Sequence, residues 1–366
     1  MGFDYDELIC VENLLDSWWS YRRGKNRKKD VMEFERHLED NIFLLCDELK
    51  TGNYSHGRYS YFRISDPKKR DIYKATVRDR VIHQALYTYL CSIYEPLFIK
   101  NSFSSRKGKG THRAVATLQK QIYLIRRYRK RCWAIKCDIR KYFENINHEI
   151  LLDLLRKEIR DEKIFALLEG IVRSFHTDTG TGVPLGNITS QVFANVYLNE
   201  LDRFVENDLV LKSQYVRYND DFVILGNDEE KLFEQVRAIR KFLHERLVLE
   251  LPLRKTVFRK LKWGIDFCGS IIVSNGILLR DKSKKRMFRA IKSTENKLDL
   301  GKISPSDFRK ILDSYFGLLS HCKAYGLKCE IRSVYLHGSP DFLYLPIELP
   351  WNVCVRVDNR VTSKIQ

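Results

Sequence analysis

Residues 215–225 read YVRYNDDFVIL, with apolar side chains alternating on both sides of a polar Asn-Asp-Asp centre. That pattern predicts two short strands about a tight turn, since Asn and Asp accept the backbone a hairpin turn demands. It commits the middle of the chain to antiparallel sheet and sets Asp220 and Asp221 at the hairpin tip. An acid doublet in a turn is ordinarily solvated turn chemistry. The segment CWAIKCDI (132–139) also reads as a strand, closed by Asp138, with a helix expected after it. An acid at a strand end projects from the sheet. If this strand lies beside the hairpin, three carboxylates converge and raise one another's pKa. Bound Mg²⁺ resolves such repulsion, because it takes oxygen ligands and pairs with substrate phosphates. Two such ions can align an attacking 3′-hydroxyl with a leaving pyrophosphate, the chemistry of nucleotidyl transfer.

Charge agrees with a polyanionic partner. Lys+Arg 65 against Asp+Glu 47 gives a formal charge of +18 and a pI near 9.4, which favours nucleic acid or an anionic membrane surface. The basic stretches are spread over several elements rather than gathered on one amphipathic face, which argues against a membrane. No apolar run reaches the roughly 18 residues of a bilayer span, and the acidic start MGFDYDELIC does not read as a signal peptide. The nine cysteines are scattered and include no Cys-x-x-Cys pair. They predict buried thiols in a reducing cytoplasm rather than a zinc site or a disulfide framework. In that compartment the sequon at Asn187 meets no glycosylation machinery.

Along the chain, Val31, Phe34, Leu38, Ile42, Leu45 and Leu49 recur at helical spacing before a stop at Gly52. YSYFRI (59–64) predicts a strand entering the basic turn SDPKKR. Helices are expected at 77–98, at 113–131 after a Gly/Lys-rich loop, at 229–247 and beyond 280, where Ser304-Pro305 with Asp307 marks a helix start. The stripe Phe193, Tyr197, Leu201 and Phe204 predicts another over 189–208, and strands are expected near 256–260 and 265–273. The fold class is α+β, with strands concentrated between about 132 and 275.

CDIRKYFENI (137–146), followed by Tyr218-Asn219-Asp220-Asp221, resembles motifs A and C of reverse transcriptases. Other blocks fall in the family's order: KKRDIYKATVRDRVIHQALY and FIKNSFSSRKGKGTHRAV are similar to the finger blocks, GVPLGNITSQ to motif B, LPLRKTVF to motif D and GIDFCGSII to motif E. The resemblance implies a right-hand polymerase fold. An N-terminal helical basic extension (1–58) would precede fingers (59–131), a palm of antiparallel sheet plus helices (132–275, its motif B helix at about 186–208), a helical thumb (276–335) and a tail (336–366). It implies Asp138, Asp220 and Asp221 as ligands of two Mg²⁺ ions, with Mn²⁺ as a substitute, and Ile139 lending its backbone carbonyl. Lys255 would be the motif D lysine that protonates the leaving pyrophosphate. Arg80, with Lys68, Lys69 or Arg70, would hold the incoming triphosphate. Phe143 falls where the family sets a bulky side chain against a ribose 2′-hydroxyl, and Gly186 where the backbone approaches the substrate closely. Arg106, Lys107 and Lys109 in the fingers, and Lys284, Lys285 and Arg286 on the thumb, would take nucleic-acid phosphates. Alone, PKKR reads as a solvated turn, Phe143 as a core aromatic and the 280–292 run as a solvated face.

Motif B adds a finer resemblance. Where most bacterial intron-type and retroviral enzymes have Pro-Gln-Gly, this chain has Pro184-Leu185-Gly186, and the segment ends Ser190-Gln191. That arrangement resembles the diversity-generating retroelement type, whose members copy template RNA with errors opposite adenine and work with a small basic accessory protein and a cognate structured RNA. Substrates implied are deoxynucleoside triphosphates and an RNA template with its cDNA duplex. The alternatives are a retron, group II intron-like or phage-defence reverse transcriptase and, in another class, a non-catalytic RNA-binding scaffold. The scaffold would fit the charge and leave the three acids unexplained.

Overall fold

A computed structural model of the chain describes residues 4–65, 69–128, 132–212 and 214–335. Lys68 and the 336–366 tail lie outside the described residues. The N-terminal part is helical: α1 (Tyr5–Ile9), α2 (Val11–Arg22), α3 (Lys29–Arg36) and α4 (Leu38–Lys50). The continuous spacing from Val31 to Leu49 predicts one helix. The chain breaks it at His37, whose φ of −124° and ψ of 41° leave the helical region. Val31, Ile42, Leu45 and Leu49 are nevertheless all buried, so two helices share the expected apolar face.

Strands β1 (Ser60–Ile64) and β2 (Arg70–Lys74) pair as an antiparallel hairpin, with Ile64 opposite Arg70. The return strand β2 is absent from the sequence expectation. Thr76 caps the next helix, α5 (Val77–Tyr94), by accepting from the Asp79 amide at 3.2 Å. Helix α6 (Thr111–Tyr128) follows the Gly/Lys-rich loop.

The next segment contributes β3 (Trp133–Asp138), α7 (His148–Arg156), α8 (Glu162–Arg173), α9 (Ile188–Asn207), β4 (Tyr215–Tyr218), β5 (Asp221–Gly226), α10 (Glu229–Leu247) and β6 (Val257–Lys260). The strands form one antiparallel sheet of order β4-β5-β3-β6. Its central strand β3 is covered on both faces. Ile135 and Cys137 join the large core made with the helices, and Ala134 joins the core beneath α6. The large core also takes in Leu8, Trp18 and Leu45, so the N-terminal helices pack with α5 and the sheet rather than on a core of their own.

Strands β7 (Ile265–Phe267), β8 (Ser270–Val273) and β9 (Gly276–Leu279) make a second antiparallel sheet. The single strand expected over 265–273 is thus a hairpin. The chain reverses at Cys268 and Gly269, both with positive φ (48° and 82°). Helices α11 (Asp281–Asp299), α12 (Pro305–Ser320) and α13 (Tyr325–Tyr335) enclose a third core around Met287, Ile291, Phe308 and Leu312. His321, just after α12, stacks on His112 of α6 at 3.8 Å between ring centroids. No helix among the described residues is long and apolar enough to cross a membrane.

Candidate active site

The sheet register brings the acids together. Asp138, the last residue of β3, lies directly opposite Asp221, the first of β5, so the two share one sheet face. Asp220 occupies the β4–β5 turn, entered through Asn219 in the left-handed conformation (φ 58°). Two further contacts hold this turn. The Ile139 amide donates to the Asp220 carbonyl at 3.3 Å, and Arg217 donates from NH1 to the Asn219 carbonyl at 3.1 Å. The backbones of 138–139 and 219–221 are therefore fastened to each other, not merely adjacent.

Two lysines compensate part of this negative charge. Lys255, in the short 3₁₀ turn Leu253–Lys255, pairs with Asp138. Lys136, two residues before Asp138 on the same strand face, reaches Asp221 Oδ2 at 3.3 Å. Burial, with help from Asp221, pushes the Asp220 carboxyl up to about 6. Burial also raises Asp221, against the opposing pull of Lys136. Among the described residues no three His, Cys, Asp or Glu side chains are grouped as a metal site, and Asp138 and Asp221 each face a lysine. The donor set nevertheless suits a hard divalent cation: it is all oxygen, one member is held in an environment hostile to its charge, and Asp221 Oδ1 is buried without a hydrogen-bond partner.

The segment 183–191 connects this centre to a cleft. The Val183 amide donates to the Phe143 carbonyl at 2.9 Å, five residues past Asp138. The Leu185 carbonyl accepts from the Tyr73 amide at 2.9 Å. Asn187, 3% exposed, bridges β2 through the Tyr73 carbonyl and the Ala75 amide, each at 3.4 Å. Thr189 Oγ1 meets His83 Nδ1 at 2.7 Å. The sequon asparagine is thus a buried bracket. Gly186 (φ +124°) is needed for contact with β2, since a Cβ there would come within 2.9 Å of Ile72 Cγ2 and 3.2 Å of the Tyr73 carbonyl. The backbone it lies against on this side is the hairpin's. Gly186, Gln191 and Arg80 line a cleft of about 580 Å³ together with Lys74 of β2 and Lys25 and Lys28 of the N-terminal region.

Other expected residues fall as follows. Leu185 is partly buried, and Phe143 is partly buried with its ring T-shaped against Tyr142 at 5.5 Å. Lys69 and Arg70 are exposed near the hairpin bend and do not line the cleft. Lys74, at the other end of β2, does. Arg106 is corrected from phosphate contact to loop anchor. Its Nε meets Glu95 Oε2 at 3.0 Å, its NH1 donates to the carbonyls of Ile99 (2.6 Å) and Ser102 (2.9 Å), and its NH2 donates to the Glu95 carbonyl (3.3 Å). Lys109 donates to the Lys100 carbonyl at 2.7 Å, and Lys107 is exposed. Lys284, Lys285 and Arg286 lie on α11 beside the buried Met287 and Ile291, giving one packed and one wet face. Lys136 and Arg217 escape the sequence expectation. A lysine inside the apolar run WAIKCD, two positions from its acid, is the signal for the first. Nothing in YVRYNDD marks its arginine as buried.

A profile of the family described as "Reverse transcriptase (RNA-dependent DNA polymerase)" matches residues 66–272, more than half of the 366-residue chain. Protein YkfC of Escherichia coli (strain K12) is 26% identical over 278 residues, covering 65% of this chain and 73% of that one. The group II intron-encoded protein LtrA of Lactococcus lactis subsp. cremoris is 28% identical over 226 residues, 58% of this chain but only 36% of LtrA. A structure of apo telomerase from Candida tropicalis superposes with a TM-score of 0.48 at 12% identity, over 75% of this chain and 59% of that one.

Proposed function

The chain belongs to the reverse transcriptase family of RNA-directed DNA polymerases, and we propose that Asp138, Asp220 and Asp221 are the centre at which it extends cDNA on an RNA template. The carrying observation is the register of β3 and β5, which sets two carboxylates opposite each other with the third in the adjoining turn. These three, with the Ile139 carbonyl, are the groups that would hold two divalent ions, Mg²⁺ or its substitute Mn²⁺, whose chemistry is to lower the charge on the attacking 3′-oxygen and the leaving pyrophosphate. Lys255 begins paired to Asp138. Relieved of that carboxylate, it is free to give a proton to the pyrophosphate. Arg80 would bind the triphosphate, Phe143 would stand against the ribose 2′ position, and Leu185 and Gln191 would flank the nascent pair. Lys107 and the wet face of α11, with Lys284, Lys285 and Arg286, would grip template RNA and the cDNA duplex irrespective of sequence. The division into extension, fingers, palm, thumb and tail, at the boundaries given above, belongs to the same reading.

The experiment is primer extension on poly(rA)/oligo(dT) with Mg²⁺ and dTTP. Synthesis by the wild type and none by Asp220→Ala is the expected result. No synthesis by either would favour the RNA-binding scaffold.

We further infer error-prone copying at template adenines, of the diversity-generating kind, with a small basic accessory protein and a cognate RNA as partners. Leu185 supports it: an apolar side chain beside the nascent pair cannot make the amide hydrogen bonds by which a glutamine would fix a correct geometry. Leu185→Gln should lower misincorporation opposite adenine. Equal error spectra would instead favour a retron, intron-like or phage-defence role.

A further inference from the structure

We propose that the end of α2 and the turn joining it to α3, residues 21–28, are part of the nucleotide site: Tyr21 positions Arg80, and Lys25 and Lys28 take the triphosphate of the incoming deoxynucleotide. This rests on the polymerase reading above and deepens it.

Arg80 is not a free arm of α5. Its NH1 donates to the Tyr21 hydroxyl at 2.7 Å, and its guanidinium lies 5.7 Å from the Tyr21 ring centroid. Tyr21 is 6% exposed and packs in the large core, so the anchor is rigid. The Lys25 ammonium sits 4.3 Å from the centroid of the same ring and donates to the Tyr21 carbonyl. Lys28 follows one turn later, and Lys74 enters from β2, paired to Asp30 at 2.5 Å. No acidic side chain among the described residues lines this cleft. Burial, then Arg80 and Lys28, hold the Lys25 amine below its usual pKa.

The ligand must therefore be anionic and compact. The cations come from three elements and converge on one cleft, which suits a triphosphate, where charge is concentrated on linked phosphoryl groups. A nucleic-acid strand presents its phosphates singly and in series. Phe62, Ile72 and Ile188 supply apolar wall in the same cleft, and Gln191 an amide, as a nucleoside requires. The 183–191 segment ties this wall to Phe143 and hence to the Asp138 strand.

The test uses the full chain on poly(rA)/oligo(dT), titrating dTTP in steady state and measuring template–primer affinity by fluorescence anisotropy. Lys25→Ala and Lys28→Ala should each raise KM for dTTP about fivefold, the scale of a part-exposed charge contact, and Lys28→Glu more. Tyr21→Phe should raise it through Arg80. Arg27→Ala and Lys29→Ala, in the same basic run but outside the cleft, should leave KM for dTTP unchanged. Unaltered KM in the Lys25 and Lys28 variants, or weaker template–primer binding in its place, overturns the proposal in favour of an RNA contact. Should the wild type make no DNA, the polymerase reading falls and fluorescent dTTP binding decides this one. Weaker binding by Lys28→Glu would sustain it, and equal binding would end it.

Discussion

Arg217 and Asp202 form a two-pronged ion pair in the interior, with Nε to Oδ1 at 2.7 Å and NH2 to Oδ2 at 2.5 Å, and neither side chain more than 1% exposed. Ser102 Oγ (3.0 Å) and Asn195 Oδ1 (3.3 Å) accept from the same guanidinium, and the Tyr215 hydroxyl donates to Asp202 at 2.8 Å. The pair fixes Arg217 so that NH1 can hold the Asn219 carbonyl and, through it, the turn carrying Asp220. Arg217→Met strands a buried carboxylate and should cost about 3–5 kcal/mol in urea denaturation. Adding Asp202→Leu should restore most of that stability, since an apolar pair can replace a buried ionic one. Primer extension should stay low, because the tether to Asn219 is gone. Full synthesis by the double variant would show that the pair serves stability alone.

Asp220 should weaken the fold that it equips. Its carboxyl is raised from 3.8 to about 6 by burial and by Asp221, so between those values the native chain binds more protons than the unfolded one. This group's contribution to stability is therefore greatest at low pH and is lost as pH rises through about 6. Asp220→Asn should raise Tm at pH 7.5 in the absence of divalent ions, measured by calorimetry. Added Mg²⁺ should raise Tm in the wild type more than in the variant.

His83 should act in the opposite sense. It is 1% exposed, bonded to Thr189 and 3.0 Å from His56 Nε2, and burial followed by His56 lowers its pKa from 6.5 to about 3. The unfolded chain takes up the proton first, so stability falls as pH drops from about 6.5 toward 3. The loss of urea midpoint between pH 7 and pH 4.5 should be smaller in His83→Gln. An identical loss in both proteins would place the acid sensitivity elsewhere.

Phe143→Ala should increase incorporation of rUTP relative to dUTP on a poly(rA) template, if its ring excludes a 2′-hydroxyl. Unchanged discrimination would leave Phe143 as packing against Tyr142.

What could be read from the chain followed from periodicity. The 229–247 helix and the hairpin about Asn219-Asp220 stand where their patterns put them, and Phe193, Tyr197 and Leu201 are buried on α9. The register of Asp138 against Asp221 was conditional on a strand pairing that no local pattern encodes. Strand β2 was hidden because Arg70, Asp71 and Lys74 interrupt its apolar residues. The β7–β8 reversal was hidden because its first turn residue is a cysteine. Positive charges were the least legible class. Arg106 and Lys107 are neighbours of similar chemistry, yet one is used up on carbonyls and a glutamate while the other is exposed. Only the path of the loop distinguishes them.

The bonds from Leu185 and Asn187 to Tyr73 and Ala75 have a mechanical consequence. The strand that bears Lys74 and the segment leading into α9 are stitched together by one backbone bond and by the Asn187 side-chain amide, so the hairpin cannot swing over a substrate without dragging the residues at 185–187 with it. On the proposed reading, gripping the phosphates and inspecting the base pair would then be a single lever stroke. A substitution that slackens one end, such as an alanine at Gly186 pressing on Ile72, would be felt at the other.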